Sequence, residues 1–314
     1  MRTASPAPIP FLRALIPHAA PRQPSASAQR RFAREIARLA VGSLYIELCL
    51  YPKPGLVSLV DSGSHSDMNA ATFMRSLFSL RHYFRNICLA GLGDAPFAQL
   101  KQLGIAAEKA MLKATRGINT HRGAIFSLGL LCAAAGRARA QGTPLTPAAL
   151  RATMLIRWGE ELAMHASASP APAAAAAISN GLRVAARYAA SGAREEGALG
   201  LPSVFEIGVP ALQATRARGA TMTMARIDAL FALMAHISDS NVYHRAGPQG
   251  AQTVREHARR FIEAGGTANA DWLGQALASH RVFVQRRLSP GGAADLLAAS
   301  CLVQSIATLD ADRR

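Results

Sequence analysis

Apolar residues recur along this chain at intervals of three and four. Phe32, Ile36, Leu39, Ser43, Ile46 and Leu50 make one such stripe, which predicts a helix with one buried face. The same period predicts helices near residues 69–90, 96–114, 122–140, 147–165, 173–190, 203–217, 221–238, 249–264, 270–287 and 293–309. Turn residues punctuate the breaks, at Gly91-Leu92-Gly93-Asp94, Gly142-Thr143-Pro144, Gly265-Gly266 and Ser289-Pro290-Gly291-Gly292. No β-branched run alternates for the length of a strand. Alanine is abundant at helical positions, so neighbouring helices are free to approach closely. The pattern predicts an all-α fold, a single compact domain of about ten or eleven helices over residues 29–314, without internal repeats. The Ala, Ser and Pro stretch at 166–176 reads as a flexible connection, and no composition shift marks a second domain.

Residues 1–28 contain Ala, Pro, Ser and Arg and no acidic residue. Arg13 interrupts the apolar stretch and prolines recur, so this segment reads as a disordered tail, not a transit peptide. Over the whole 314 residues, 50% are hydrophobic and 17% charged, a balance that buries a sizeable core and excludes disorder as the ground state. The longest apolar run, Gly123 to Gly136, is followed by Arg137 and Arg139 and is too short to cross a bilayer, so it reads as a buried helix. Cys49, Cys88, Cys132 and Cys301 lie far apart in apolar surroundings, which predicts free thiols in a reducing cytoplasm.

The net charge of +16 comes mostly from arginine, because only Lys53, Lys101, Lys109 and Lys113 are lysines. Such a bias fits a GC-rich coding sequence, yet the excess still steers polyanions toward the surface. Nucleotides fit that excess better than nucleic acid does, since aromatics are 6% and no basic-aromatic block appears.

Candidate chemistry concentrates in three blocks. In Tyr51-Pro52-Lys53-Pro54-Gly55-Leu56-Val57 two prolines hold one lysine at a helix exit, and Gly55 permits a close backbone approach. The segment is a Pro-rich helix stop or an anion-binding turn. Glu47 lies one turn earlier at the edge of the buried stripe, where a carboxylate is paired, metal-bound or functional, an arginine on a neighbouring helix being the plain partner. The loop Asp61-Ser62-Gly63-Ser64-His65-Ser66-Asp67 offers an N-cap in Ser66 or Asp67, or oxygen ligands for a magnesium ion.

In the second block, Asn119-Thr120-His121-Arg122-Gly123, a helix is expected to begin at His121 after a cap at Asn119 or Thr120. Its N-terminal N–H groups, His121 and Arg122 suit an anion. Glu108 on the preceding helix faces the same cleft or is an exposed helix acid. Asp239-Ser240-Asn241 with Arg245 reads as a polar loop closing a helix. In Ser289-Pro290-Gly291-Gly292-Ala293-Ala294-Asp295 the glycines bring N–H groups to a helix start, with Asp295 in its first turn.

Taken in this order, the Lys53 block with Asp61 to Asn69, the Asn119 block and the Ser289 block resemble the triphosphoribosyl-dephospho-CoA synthase family over roughly residues 30–310. The resemblance implies a pentosyl transfer in which the 2′-hydroxyl of 3′-dephospho-CoA displaces adenine from C1″ of ATP. No phosphoryl group moves, in keeping with the absence of a Walker-type loop or kinase signature. It implies Glu47 or Asp67 as the catalytic carboxylate. Lys53, His121 and Arg122 are then expected on the phosphates, and Gly55, His65, Asn119, Arg245, Ser289, Gly291 and Gly292 as further substrate contacts. Mg2+ is the implied metal, with Asp61, Glu108 and Asp295 as its ligands or as ribose contacts.

Ser58-Leu59 stand where relatives carry Asp-Arg, Arg122 replaces a lysine, and Glu195 takes the place of a glycine before Glu196. The product would be a prosthetic-group precursor for the acyl carrier subunits of citrate lyase or malonate decarboxylase, handed to a carrier-protein transferase. Two other readings are an Mg2+-dependent N-ribosyl hydrolase and a non-catalytic nucleotide or CoA sensor.

Overall fold

A computed structural model describes residues 25–167 and 192–311. Twelve α-helices and no strand occur among them: α1 Ala26–Cys49, α2 Ala70–Ser79, α3 Arg81–Leu92, α4 Phe97–Ala114, α5 Arg122–Ala140, α6 Pro147–Ser167, α7 Ala193–Ala198, α8 Val209–Ala217, α9 Met222–His236, α10 Ser240–Glu263, α11 Trp272–Gln285 and α12 Gly291–Ala311. A π-helical turn at Ser203–Gly208 leads into α8, and a 3-10 turn at Gly266–Ala268 precedes α11.

The most apolar helices are the central ones. Helix α5 is buried along most of its length, from Ala124 to Ala138, as the run before Arg137 predicts. It packs on α3, α12 and α6, while α1 packs on α3 and α12. The α3–α5 contact is close because small residues face backbone: a Cβ on Gly91 would collide with the Ala133 carbonyl, and one on Gly136 with that of Cys88. Helix α12 is long and apolar enough to cross a membrane, but most of it is buried inside the protein, so it is a core helix. Among the cysteines, all free, Cys88, Cys132 and Cys301 are buried.

The structure moves several boundaries. Helix α1 begins at Ala26, capped by Ser25, inside the segment assigned to the tail. The 69–90 segment divides at Leu80 into α2 and α3, and its N-cap is Asn69 in a capping box with Thr72, not Ser66 or Asp67. The helix expected at 249–264 starts at Ser240, because Asp239 is an N-cap and not part of a helix C-terminus. Gly247, at φ 61°, and Pro248 kink that helix and break its apolar period. The helix expected at 173–190 and most of the 166–176 connection lie outside the described residues.

Candidate functional site

The starts of α5, α10 and α12 and the end of α1 meet at a cleft of about 920 Å3. At its floor Glu47, in the last turn of α1, receives a hydrogen bond from Lys53 Nζ at 2.5 Å. Both side chains are buried. The glutamate lines the cleft and the lysine stands behind it, out of contact with the cavity. The partner of Glu47 is therefore the lysine of the adjacent turn, not an arginine from another helix.

The turn carrying Lys53 is pinned on both sides. His280 Nδ1 donates to the Lys53 carbonyl at 3.2 Å, and Leu56 N–H does so at 3.1 Å. Gly55 has φ +69°, and a Cβ there would collide with the Leu288 carbonyl. Gly55 thus serves the packing of this turn against the α11–α12 junction and does not line the cleft. Ser64 Oγ reaches the same Leu288 carbonyl at 2.6 Å. Ser58 is buried and accepts from Val60 N–H and Asp61 N–H at 3.1 and 3.2 Å, which folds the loop.

Asp239 Oδ1 accepts from Asn241 N–H at 2.9 Å at the start of α10, and its Oδ2 accepts from Ala293 N–H at 3.1 Å at the start of α12. One carboxylate thus caps two helices. Burial pushes its pKa upward against these bonds. Asp295, half-buried on α12, accepts from Ala124 N–H in the first turn of α5. Burial first, and then the charges of Glu47 and Asp239, raise it well above the usual carboxylate range. It has no cationic partner within ion-pair distance among the described residues. A Cβ on Gly123 would collide with Asp295, so that glycine lets the carboxylate approach the start of α5.

His121 precedes α5. Its Nδ1 lies 2.6 Å from Ser76 Oγ on α2, and its backbone N–H points to Met111 Sδ. Its Nε2 is buried without a partner. Burial, and then the Lys53 charge, lower its pKa to about 3. The helix starts at Arg122 with His121 in the N-cap position, not Asn119 or Thr120, and Asn119 Oδ1 accepts from Arg122 N–H at 3.2 Å in the turn ahead of it.

The rim is charged and wetter. Arg122 pairs with Glu108 of α4 across the opening. Arg245 Nη2 donates to His65 Nδ1 at 2.9 Å, so the His65 proton is on Nε2, which donates to Ser289 Oγ at 2.8 Å. Burial and Arg245 lower the His65 pKa. Asp67 stands beside this group with its side chain 55% exposed. Gly291 and Gly292 line the cleft against Asn241 and Asp239.

Of the expected metal ligands, Asp295 and Glu108 line the cleft and Asp61 does not. Asp61 Oδ1 accepts from Gly63 N–H at 2.7 Å, and its Oδ2 lies 3.4 Å from His280 Nε2. The three do not converge, because loop closure engages Asp61 and the Arg122 pair engages Glu108. Among the described residues no group of three or more His, Cys, Asp or Glu side chains is arranged to hold a metal ion.

The sequence reading took Asp239 as part of a loop closing a helix and gave Ser76, Lys101 and His165 no role; all but Ser76 line the cleft. Asp239 had a legible signal in Asp-Ser-Asn ahead of a helix; the others had none. His165 lies against Phe97 and Phe126, and burial, then Arg194 and Lys101, lower its pKa to about 4. Glu196 also lines the cleft, accepting from Ser203 Oγ at 2.5 Å, and burial raises its pKa.

The family model described as CitG, ATP:dephospho-CoA triphosphoribosyl transferase, matches residues 33–314. The chain is 39% identical over 259 residues to a probable 2-(5''-triphosphoribosyl)-3'-dephosphocoenzyme-A synthase of Acinetobacter calcoaceticus, covering 82% of this chain and 86% of that one. It is 40% identical over 287 residues to a relative of the same name from Pseudomonas fluorescens strain Pf-5, covering 89% and 94%. For another of that name from Vibrio cholerae the identity is 36% over 300 residues, covering 91% and 93%. No solved structure matches.

Proposed function

The chain belongs to the CitG family of ATP:dephospho-CoA triphosphoribosyl transferases, and we propose that it makes 2′-(5″-triphosphoribosyl)-3′-dephospho-CoA and adenine from ATP and 3′-dephospho-CoA. The 2′-hydroxyl of dephospho-CoA forms a bond to C1″ of ATP while the bond from C1″ to N9 breaks. Adenine leaves with the electron pair, and the triphosphate stays on the transferred ribose. The observation that carries the site is the buried Glu47–Lys53 pair facing a cleft of about 920 Å3.

Glu47 takes the proton of the attacking hydroxyl and faces the cationic sugar of the transition state. Asp67, mostly exposed on the rim, is the poorer choice. Lys53 holds Glu47 in position and does not itself grip phosphate. Arg122 and Arg245 on the rim, with Lys101 and Arg194 further along the wall, supply charge for the phosphates of both substrates. His65, Asn119, Ser289, Gly291 and Gly292 shape the walls between them.

Mg2+ belongs to this reading as the partner of the triphosphate. It takes one or two carboxylates together with phosphates and water, so a protein-only cage is not required. Asp295 fits it, because it lines the cleft and has no ion-pair partner among the described residues, and a bound cation would favour its charged form against burial. Such an ion neutralises phosphate charge when bound. A cytoplasmic location completes the reading, supported by free thiols and by ATP as substrate. The product passes to a transferase that loads an acyl carrier protein.

The test is incubation with ATP, Mg2+ and 3′-dephospho-CoA, following adenine by chromatography and the adduct by mass spectrometry. Adenine is expected only when dephospho-CoA is present, with one triphosphoribosyl adduct per adenine. Adenine without acceptor would make the protein a hydrolase, and binding without turnover would make it a sensor.

A further inference from the structure

His121 carries an orphaned atom whose protonation can be derived. Thr120 Oγ1 donates to Ser76 Oγ at 2.7 Å, and His121 Nδ1 lies 2.6 Å from that same oxygen. The Ser76 hydroxyl is buried, and its own proton has His121 Nδ1 as its acceptor. With Nδ1 accepting, a neutral ring bears its proton on Nε2. That Nε2 is fully buried and has no partner among the described residues, in a ring 2% exposed that lines the cleft. A buried, unanswered N–H in a ligand cavity marks a bond that a ligand completes.

Resting on the pentosyl-transfer reading, we propose that His121 is the hydrogen-bond donor to the departing adenine and that Ser76 and Thr120 are positioning residues that fix its tautomer. The surroundings favour a purine over a phosphate. The Phe73 ring meets the imidazole edge-on with centroids 5.0 Å apart, and Met111 lies behind it. Phosphate charge is better answered by the rim guanidiniums than by a neutral ring.

The burial and the Lys53 charge that depress its pKa to about 3 keep His121 neutral across the working range. Lys53 is bonded to Glu47 and its charge is felt at His121, so the base and the leaving-group donor share one end of the cleft. As the bond from C1″ to N9 breaks, negative charge spreads over the purine nitrogens, and Nε2–H stabilises it without giving up its proton. Glu47 receives the 2′-hydroxyl proton and returns it to water; the adenine anion takes one from water as it leaves. A neutral histidine used as an electrophile is an established catalytic device.

Two measurements test this. In the first, 15N-histidine NMR of the unliganded protein is expected to show His121 with a pyrrole-type Nε2 and a pyridine-type Nδ1, unchanged from pH 5 to pH 8. Ser76→Ala is expected to shift it toward the other tautomer. A proton on Nδ1, or an imidazolium in that range, overturns the proposal whatever the protein catalyses.

The second compares His121→Asn, whose amide reaches only the Nδ1 position, with His121→Gln, whose amide reaches Nε2. Asparagine is expected to lower kcat about 100-fold with little change in KM, and glutamine to recover much of it. ATP analogues with N7 or N3 replaced by carbon identify the acceptor. One of them should cost wild type a similar factor and cost His121→Asn little more. Equal losses for the variant with ATP and with both analogues would assign the donor to the triphosphate and overturn the purine role.

Discussion

The floor and the rim of the cleft hold their titratable groups under opposite physical conditions. On the floor, Glu47, Lys53, His121 and Asp239 are almost wholly out of water, and each is held by hydrogen bonds that fix its direction. On the rim, Arg122 and Glu108 remain 37% and 33% exposed in their side chains. Buried pairs are costly to break because a charge is left without solvent, whereas exposed pairs contribute little and rearrange freely. On the proposed function, the difference separates chemistry from capture: the floor is set before substrate arrives, and the rim is free to adapt to two large polyanions.

The sharpest way to break this contrast is at Glu47. Glu47→Gln keeps the shape and is expected to lower turnover about 1,000-fold in the adenine-release assay. Lys53→Met should cost about 3–5 kcal/mol in denaturant unfolding, because it leaves a buried carboxylate without its cation. Full activity in the glutamine variant would remove the base from the floor.

Gly123→Ala comes next. Its Cβ would displace Asp295 from the start of α5, and a shift of about 1 Å in a reacting group costs about 100-fold in rate. If turnover is kept, Asp295 has only a capping role.

Acidification probes His121. Its folded pKa of about 3 lies below the ordinary histidine value of 6.5, so the unfolded chain binds the extra proton. The stability from burying it neutral is present above about pH 6.5 and is lost as pH falls toward about 3, by at most about 1.4 kcal/mol per pH unit. Raised Asp239 and Asp295 oppose that slope, so the measurement is the difference between wild type and His121→Gln, which should lose this share of the acid dependence.

The smallest effects belong to the rim. Arg122→Ala and Arg245→Ala should each change stability by less than about 1 kcal/mol. Each should raise KM for one substrate, with kcat held within a factor of a few. A large loss of kcat from either would erase the distinction between floor and rim.

Helical period alone located most of the helices, because a buried face leaves a repeating mark, and the blocks that form the cleft stood out by their Pro, Gly and polar motifs at the breaks. It could not say which faces meet. Ser76 and His121 are 45 positions apart, and no local pattern joins a mid-helix serine to a histidine on another segment. Lys53 was legible as a constrained lysine, but its direction was not: the same turn serves a lysine facing a phosphate or one facing Glu47. Asp239 was misplaced because Gly247 and Pro248 interrupt the period of α10 and hid the helix that it caps. The directions of Asp61 and Glu108 were hidden for a related reason, since the first closes its own loop and the second meets Arg122.

The hydrogen bond from the Ala124 N–H to Asp295 has a consequence for synthesis. The start of α5 is built early, but its carboxylate comes from α12, and Asp239, between them in sequence, ties α10 to α12 as well. During translation, the Ala124 N–H of α5 therefore waits for its carboxylate through the making of α6 to α11. Closing so long a loop is a late and slow event. Until α12 has cleared the ribosome, the cleft lacks the wall that carries Ser289, Gly291, Gly292 and Asp295.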